Sequence, residues 1–560
     1  MEAHHPAKSR NTSSNSTRDR ISHLPQPILH QVLGFLSQEH AVQTSALSKS
    51  WRDLGCTRPK IDFHYYSFNE NHDKFVLALD KTLQGYHDRG LSLKEFLVNF
   101  DPKSISLLQK WIPIVLLNMG VKRFHLESYP DCFDMPSVVF EAENLEELRL
   151  ANCRIHLPDK LLSKHLRRFW LFDVNIGDEA LQKIISGCPS MEYLVIEACE
   201  SLTTVKACNN SLKHFEYNDC PRNDAVTIDI NAPSLESITI VGDSRWFHYR
   251  KSFPRLKTVR LHYVMLSPRN FDMFSVDFCC LEELEMRFCG GLEEFQLSSR
   301  SIKRLRFGVN GPSKAVLNLP NILCLRLDCK DFPSISLTTD SSEWRSEIYL
   351  MTSVNPNNDN EAASLFDKLH ELHRELGHSR ISLHMRDFPQ DLAFSYEGLK
   401  ELPVIESLTV LDNSKFSFLE AFLNYFFGNF RPRYVQQSVS AAQEYENERD
   451  LFDLYMDELM AEQYGGANEV IDSNTVSVTK KYGGVNELVD RLCDIFLMGN
   501  ATENCFWRQD LEEVSVEAAS DENGGKWYPL KGANISEWGL PNDDDQLIRF
   551  RLKWRGSSLS

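Results

Sequence analysis

No apolar run in this sequence approaches the roughly 18 residues that a membrane-crossing helix needs. The longest, around Trp111 to Val121, is about half a crossing, so a soluble protein is expected. Basic charge is also short. Its 61 Lys and Arg stand against 79 Asp and Glu, a formal net charge of -18, which disfavours bulk binding to nucleic acid or anionic membranes. No Gly-rich phosphate loop with its Lys is present, and no GxSxG turn. The 14 cysteines include no CxxC pair. Cys153, Cys199, Cys220 and Cys289 each take the last place of a leucine-rich pattern, which predicts buried, reduced thiols in a cytosolic or nuclear protein rather than disulfides or zinc ligands. Residues 1–17 lack an apolar segment and are rich in Ser, Asn, His and Lys, so they read as a disordered leader rather than a signal peptide, and the sequons at Asn15 and Asn209 as chance matches.

Two near-motifs fail on spacing. Leu369-His370-Glu371-Leu372-His373 sets its histidines at i, i+3, one residue short of the HExxH zinc helix, and reads as a solvent-facing helix surface. Pro541-Asn542-Asp543-Asp544-Asp545 lacks the spaced ligands and Gly of a calcium loop and reads as a solvated turn. No metal, no cofactor and no catalytic residue are expected; the chain is expected not to be an enzyme itself.

What is present starts at Asp19–Leu54. Leu24, Ile28, Val32, Phe35 and Leu36 recur at three- and four-residue steps behind Pro25, which a first helical turn tolerates. A second short helix carries Ala41, Val42 and Leu47, and Ser48 is a natural N-cap for a third with Trp51 and Leu54 inward. Three helices in so few residues bury little core alone, so the unit is expected to finish its core against another chain.

This stretch resembles the plant form of the F-box. Asp19, Arg20, Ile21, Ser22, Leu24, Pro25, Leu29, Leu33, Leu36, Ala41, Val42, Thr44, Ser45, Leu47, Ser48, Lys49, Trp51 and Arg52 fall on its pattern without a gap. It departs in the middle, where Ser37, Gln38, Glu39 and Gln43 replace a more basic turn. The resemblance implies docking onto a Skp-type adaptor and, indirectly, a cullin scaffold. The adaptor-binding residues would be Leu24, Pro25, Ile28, Leu29, Val32, Leu33, Leu36, Val42, Leu47 and Trp51.

Behind a helix expected over Asp73–Gly90, the chain repeats a leucine-rich phrase, LxxLxLxxC in its best copy, Leu145–Cys153, and nearly so in Leu281–Cys289, where Met286 takes the third leucine's place. Anchors fall at Leu93, Val121, Leu145, Leu166, Met191, Leu212, Leu235, Leu256, Leu281, Ile302 and Ile322, about 23 residues apart. Each copy supplies one short strand and a return segment, and none is stable alone, so they stack. One return reads as a helix, Glu179–Ser186 with Asp178 as cap; another, around Val226–Pro233, alternates with period two and reads as extended. With its SGCP and APSLESI phrases this part is similar to the plant F-box leucine-rich-repeat family.

The expected organisation is a leader (1–17), an F-box (18–58), a helical bridge (59–92), leucine-rich repeats (93–337), an irregular continuation (338–435), an acidic, helical insertion (436–502) and a strand-like cap (503–560). The insertion contains a tandem copy, Tyr464–Asp472 repeated as Tyr482–Asp490. The fold class is an α/β solenoid: a three-helix F-box followed by an irregular horseshoe with a parallel concave sheet.

Candidate substrate-binding residues are the outward positions of the strands. They comprise Arg149, Trp170, Phe172 and Tyr193, then Arg260, His262, Arg304, Arg306 and Arg326, an aromatic group followed by an arginine-rich one. The expectation is a non-catalytic substrate receptor of an SCF-type ubiquitin ligase acting on a protein substrate. The alternatives are a small-molecule-sensing F-box receptor, or an interaction scaffold without a ligase role.

Overall fold

The structure, a computed structural model, describes most of residues 58–437 and 485–555, together with Pro25 and residues 28–29 and 32–33. The chain divides into two compact units, Met1–Met191 and Glu192–Ser560.

In the first unit five parallel strands follow one another in chain order: Lys60–His64, Glu95–Phe100, Arg123–Ser128, Glu147–Ile155 and Arg168–Ile176. The sheet thus starts at Lys60, inside the stretch that the sequence marks as a helical bridge. Ile61 and Phe63 alternate inward there, a period-two signal too short to stand out beside the helix that follows. That helix, His72–Asp88, starts where the Asn71 side chain accepts from the Lys74 N–H at 3.0 Å and is followed by Gly90 at φ 60°. It buries Phe75, Leu79 and Leu83. Trp111, from the next crossover helix Ile105–Asn118, donates its ring N–H to Asp80 at 2.7 Å. The helix expected at Glu179–Ser186 runs Asp178–Gly187, with Gly177 as the cap and Asp178 inside the first turn, where its charge still favours the helix N-terminus.

In the second unit eleven strands from Tyr193–Glu197 to Arg431–Gln437 stack in parallel, always in chain order though not always consecutive in sequence. Return segments between them form two smaller parallel sheets, one around Thr227–Asn231 and one around Lys314–Asn318. Later returns are helical, Asp359–Glu375 and Leu419–Asn429. His370 stacks on Phe430 at 4.6 Å and His373 meets the same ring edge-on at 6.1 Å. Both histidines are half-buried, which corrects the solvent-facing reading of that helix: Phe430 turns its ring onto them.

The last parallel strand, Arg431–Gln437, is covered by two antiparallel ones, Leu547–Trp554 and then Leu511–Ala519. Phe427, Phe496, Trp507 and Trp554 pack beneath this cap, and closing the edge removes a row of unpaired N–H and C=O groups. The cores of both units are those of a leucine-rich-repeat solenoid, one inward pair per strand: Leu148 and Leu150, Val259 and Leu261, Leu284 and Met286 are all buried. The described cysteines carry no disulfide. Cys153, Cys199 and Cys289 are buried, whereas Cys220 lies outside the described residues. Among the described residues no helix is long and apolar enough to cross a membrane.

A repeat-wide backbone detail accompanies these core positions. Asn152, Asp173, Ala198, Tyr263 and Phe288 all sit at positive φ, each directly before a buried Cys or Val. Asn and Asp adopt that conformation at little cost, and bulky rings do not.

Candidate functional site

The described part of the F-box stretch separates two apolar stripes. The Ile28 and Leu29 N–H groups donate to the Pro25 carbonyl at 2.9 and 3.2 Å, opening a helix whose Leu29 and Leu33, four residues apart, are buried in the chain itself. Ile28 and Val32 form the other stripe, 43% and 38% exposed, in line with exposed Pro25. Of the adaptor-binding residues read from the sequence, Leu29 and Leu33 serve the chain's own core and Pro25, Ile28 and Val32 are open to a partner. Leu24, Leu36, Val42, Leu47 and Trp51 lie outside the described residues.

In the first unit, alternation along Glu147–Ile155 and Arg168–Ile176 turns Arg149, Trp170 and Phe172 away from the buried leucines. Arg149 and Trp170 are partners in register, and the guanidinium lies 4.0 Å from the ring centroid. Phe172 is 46% exposed. Beside them the buried Glu147 carboxylate gathers three side chains: His125 Nε2 at 2.8 Å, Arg149 Nε at 2.9 Å and Arg168 Nη1 at 3.1 Å. Burial alone would raise the Glu147 carboxyl. The contact with His125 and the charges of His125, Arg149 and Arg168 outweigh it and hold the group below the usual carboxylate range.

The other candidates belong to the second unit. Tyr193 stacks on His214 at 4.3 Å. Strand register then places Arg260, Glu285, Arg306, Arg326 and Glu347 in one row across five adjacent strands, about 4.8 Å apart per strand. The arginines do converge, but on carboxylates. Arg260 and Arg304 bind the two oxygens of Glu283 at 2.8 and 3.0 Å. Glu285, almost fully buried, meets Arg287, His262 at 3.4 Å, Arg306 at 3.4 Å and Arg260 at 3.5 Å. Asp328 holds Arg306 at 2.9 Å and Arg326 at 3.3 Å. Arg326 lies 3.9 Å from the Tyr349 ring centroid, and Tyr349 stacks on His384 at 4.0 Å.

Burial would raise the Glu285 carboxyl as well, yet His262, Arg306 and Arg260 pull it below the usual range. Burial pushes His384 down to about 3, so it is neutral at physiological pH. A Cβ built on Gly308 would stand 2.7 Å from the Arg287 Cα, so glycine there lets Arg287 lie close to the network.

Reading only the middle position of each repeat misses Glu283 and Asp328, which sit two residues to either side; register brings Glu283 to Arg260 and Arg304 and Asp328 to Arg306, while Arg326 meets Asp328 along its own strand. The alternation in ELEMR and CLRLDC was the available signal. Among the described residues no group of three or more His, Cys, Asp or Glu is placed to hold a metal ion.

Comparison with known proteins fits this build. The F-box domain family matches residues 21–61, and the family described as FBD-associated F-box protein At5g56370, LRR repeats, matches residues 108–252. Among curated relatives from Arabidopsis thaliana, the F-box/FBD/LRR-repeat protein At3g26920 is 29% identical over 233 residues, covering 41% of this chain and 48% of its own. F-box/FBD/LRR-repeat protein At3g52680 is 25% identical over 377 residues, 64% of this chain and 73% of its own. F-box/LRR-repeat protein 25 is 25% identical over 227 residues, 40% and 85%. For several such relatives the chain spans about half of their length. With an F-box match ahead of stacked leucine-rich strands, the chain is similar in build to the F-box/FBD/LRR-repeat proteins of Arabidopsis thaliana.

Proposed function

We propose that this chain is the substrate-recognition subunit of an SCF-type cullin ubiquitin ligase working in the cytosol or nucleus. The F-box holds a Skp-type adaptor, and the outward face of the repeat strands holds a protein substrate. Geometry is the chain's contribution to the reaction, since bringing substrate and charged enzyme together converts a two-body encounter into a positioned one. The observation that carries the reading is the exposed Pro25–Ile28–Val32 stripe within the F-box match, on a chain that continues into stacked repeats. Burying two large apolar side chains at a partner contributes roughly 1.5–3 kcal/mol each.

Capture of a purified Skp-type adaptor by the full chain tests it. Ile28→Asp with Val32→Asp puts charge on the open stripe without touching Leu29 or Leu33, so binding should fall at least a hundredfold while the melting temperature stays put. Unchanged capture by the double variant would remove the adaptor from the reading.

A further inference from the structure

We infer that one outward row of the first unit's sheet, running through Asn99, Glu127, Ala151 and Phe172, docks an extended segment of the protein substrate in which an arginine and an aromatic side chain stand about three residues apart. The inference rests on the substrate-receptor reading and names the chemistry of its substrate. Strand register makes the row: Asn99 pairs with Glu127, Glu127 with Ala151 and Ala151 with Phe172, about 4.8 Å apart per strand.

One end of the row is rich in acceptors. On this face Asp62, Glu95 and Glu147 each hold a basic side chain, whereas Glu127 is exposed and holds none among the described residues. Asp131 stands just past the end of the same strand, its carbonyl accepting from Ser128 Oγ at 2.6 Å. Its exposed carboxylate is likewise without a basic partner among the described residues. On the other side of Glu127, Asn99 is 8% exposed and its Oδ1 has no donor among the described residues. A guanidinium brings five N–H donors and a charge of the right sign to such a place. The chain's net charge of -18 draws a basic segment in and opposes an acidic one.

The other end is apolar. Phe172 is 46% exposed, with half-buried Trp170 two residues before it on the same face and the small Ala151 side chain between Phe172 and Glu127. Arg149, held between Glu147 at 2.9 Å and the Trp170 ring centroid at 4.0 Å, repels a ligand cation from this end. That sets the polarity, with the aromatic side chain on Phe172 and the arginine on Glu127. Two strand steps separate these residues, about 10 Å, the reach of about three residues of an extended ligand.

The full chain is titrated, by fluorescence anisotropy, into labelled ten-residue Gly/Ser peptides with blocked ends and one Arg and one Trp separated by one to five residues. Binding should be tightest at separations of two to four, at least tenfold tighter than for the same peptides with Gln in place of Arg, and weaker at high salt. Glu127→Gln with Asp131→Asn should abolish the difference between Arg and Gln peptides, and a thermal melt of this variant confirms that the fold persists. Phe172→Ala should cost several-fold for the Trp peptide and nothing for a Trp-free Arg peptide. Equal binding of Arg and Gln peptides, an Arg preference that survives the double variant, or no binding at any separation would overturn the inference. Adaptor capture is read in parallel: if it persists while the peptides fail, only this inference falls, and if the wild type never captures adaptor, the receptor reading falls whatever the peptides do.

Discussion

Around Glu147 one buried carboxylate gathers His125, Arg149 and Arg168, and both guanidiniums keep about half of their surface in water. Around Glu285 and Asp328 the cations are buried too, Arg287, Arg306 and Arg326 each keeping under a fifth of their surface. Each network ends on a ring. Arg149 ends on half-exposed Trp170, and Arg326 on Tyr349 and His384, which are inside the protein. The same device, a carboxylate tying arginines across parallel strands, is therefore peripheral in one unit and part of the core in the other. A wet guanidinium that loses its partner turns to solvent, and a buried one has nowhere to turn.

The sharpest way to break this comparison is to remove each carboxylate. Glu285→Ala takes a buried carboxylate from Arg287 and Arg306, which have little access to water, and should cost about 3–5 kcal/mol, whereas Glu147→Ala, with rehydratable partners, should cost about 1–3 kcal/mol. Equal losses in chemical denaturation would show that exposure does not separate the two. The terminal rings come next. Tyr349→Ala opens a hole in the core and should cost about 3 kcal/mol, while Trp170→Ala gives up one partly exposed cation–π contact of about 0.5–1 kcal/mol. A larger loss at Trp170 would place it in the core after all.

The smaller effects are in pH. His384 has its folded pKa depressed from 6.5 to about 3, so the unfolded chain takes up the proton first, and stability complete above 6.5 is lost as pH falls toward 3. Melting temperature measured across that window should fall less steeply in His384→Gln. Glu285 and Glu147 are also depressed below their ordinary 4.5, and their contributions, present above that value, fade as pH drops beneath it. Glu285→Gln should flatten the acid limb more than Glu147→Gln does, and the reverse order would contradict the burial argument.

Much of the solenoid was legible because Leu145, Leu166, Leu256 and Leu281 mark a period that nothing but stacked repeats explains. The antiparallel cap showed as the alternation in Leu511–Val516 and Leu547–Leu552. Lys60–His64 was missed because five residues carry too few turns of the pattern. On the candidate surface the outward positions were legible from strand alternation, but their partners were not. Whether Arg306 is a free charge depends on Glu285 and Asp328, and their approach is set by register between strands 20 or so residues apart. Period tells which way a side chain points, not what stands opposite it. The positive φ of Tyr263 and Phe288 was similarly hidden, since equivalent places hold Asn152 and Asp173, which advertise it, and Ala198, which does not.

The cap has a consequence for the order of events at the ribosome. Strand Leu547–Trp554 is inserted between Arg431–Gln437 and Leu511–Ala519, so the final parallel strand waits for a partner made about 110 residues later. At roughly 5–20 residues per second that is on the order of 5–20 seconds during which a finished stack presents a bare edge. A nascent chain stalled before Leu547 should therefore be held by chaperones, and the same chain extended by a linker that carries Trp554 clear of the ribosome should be released.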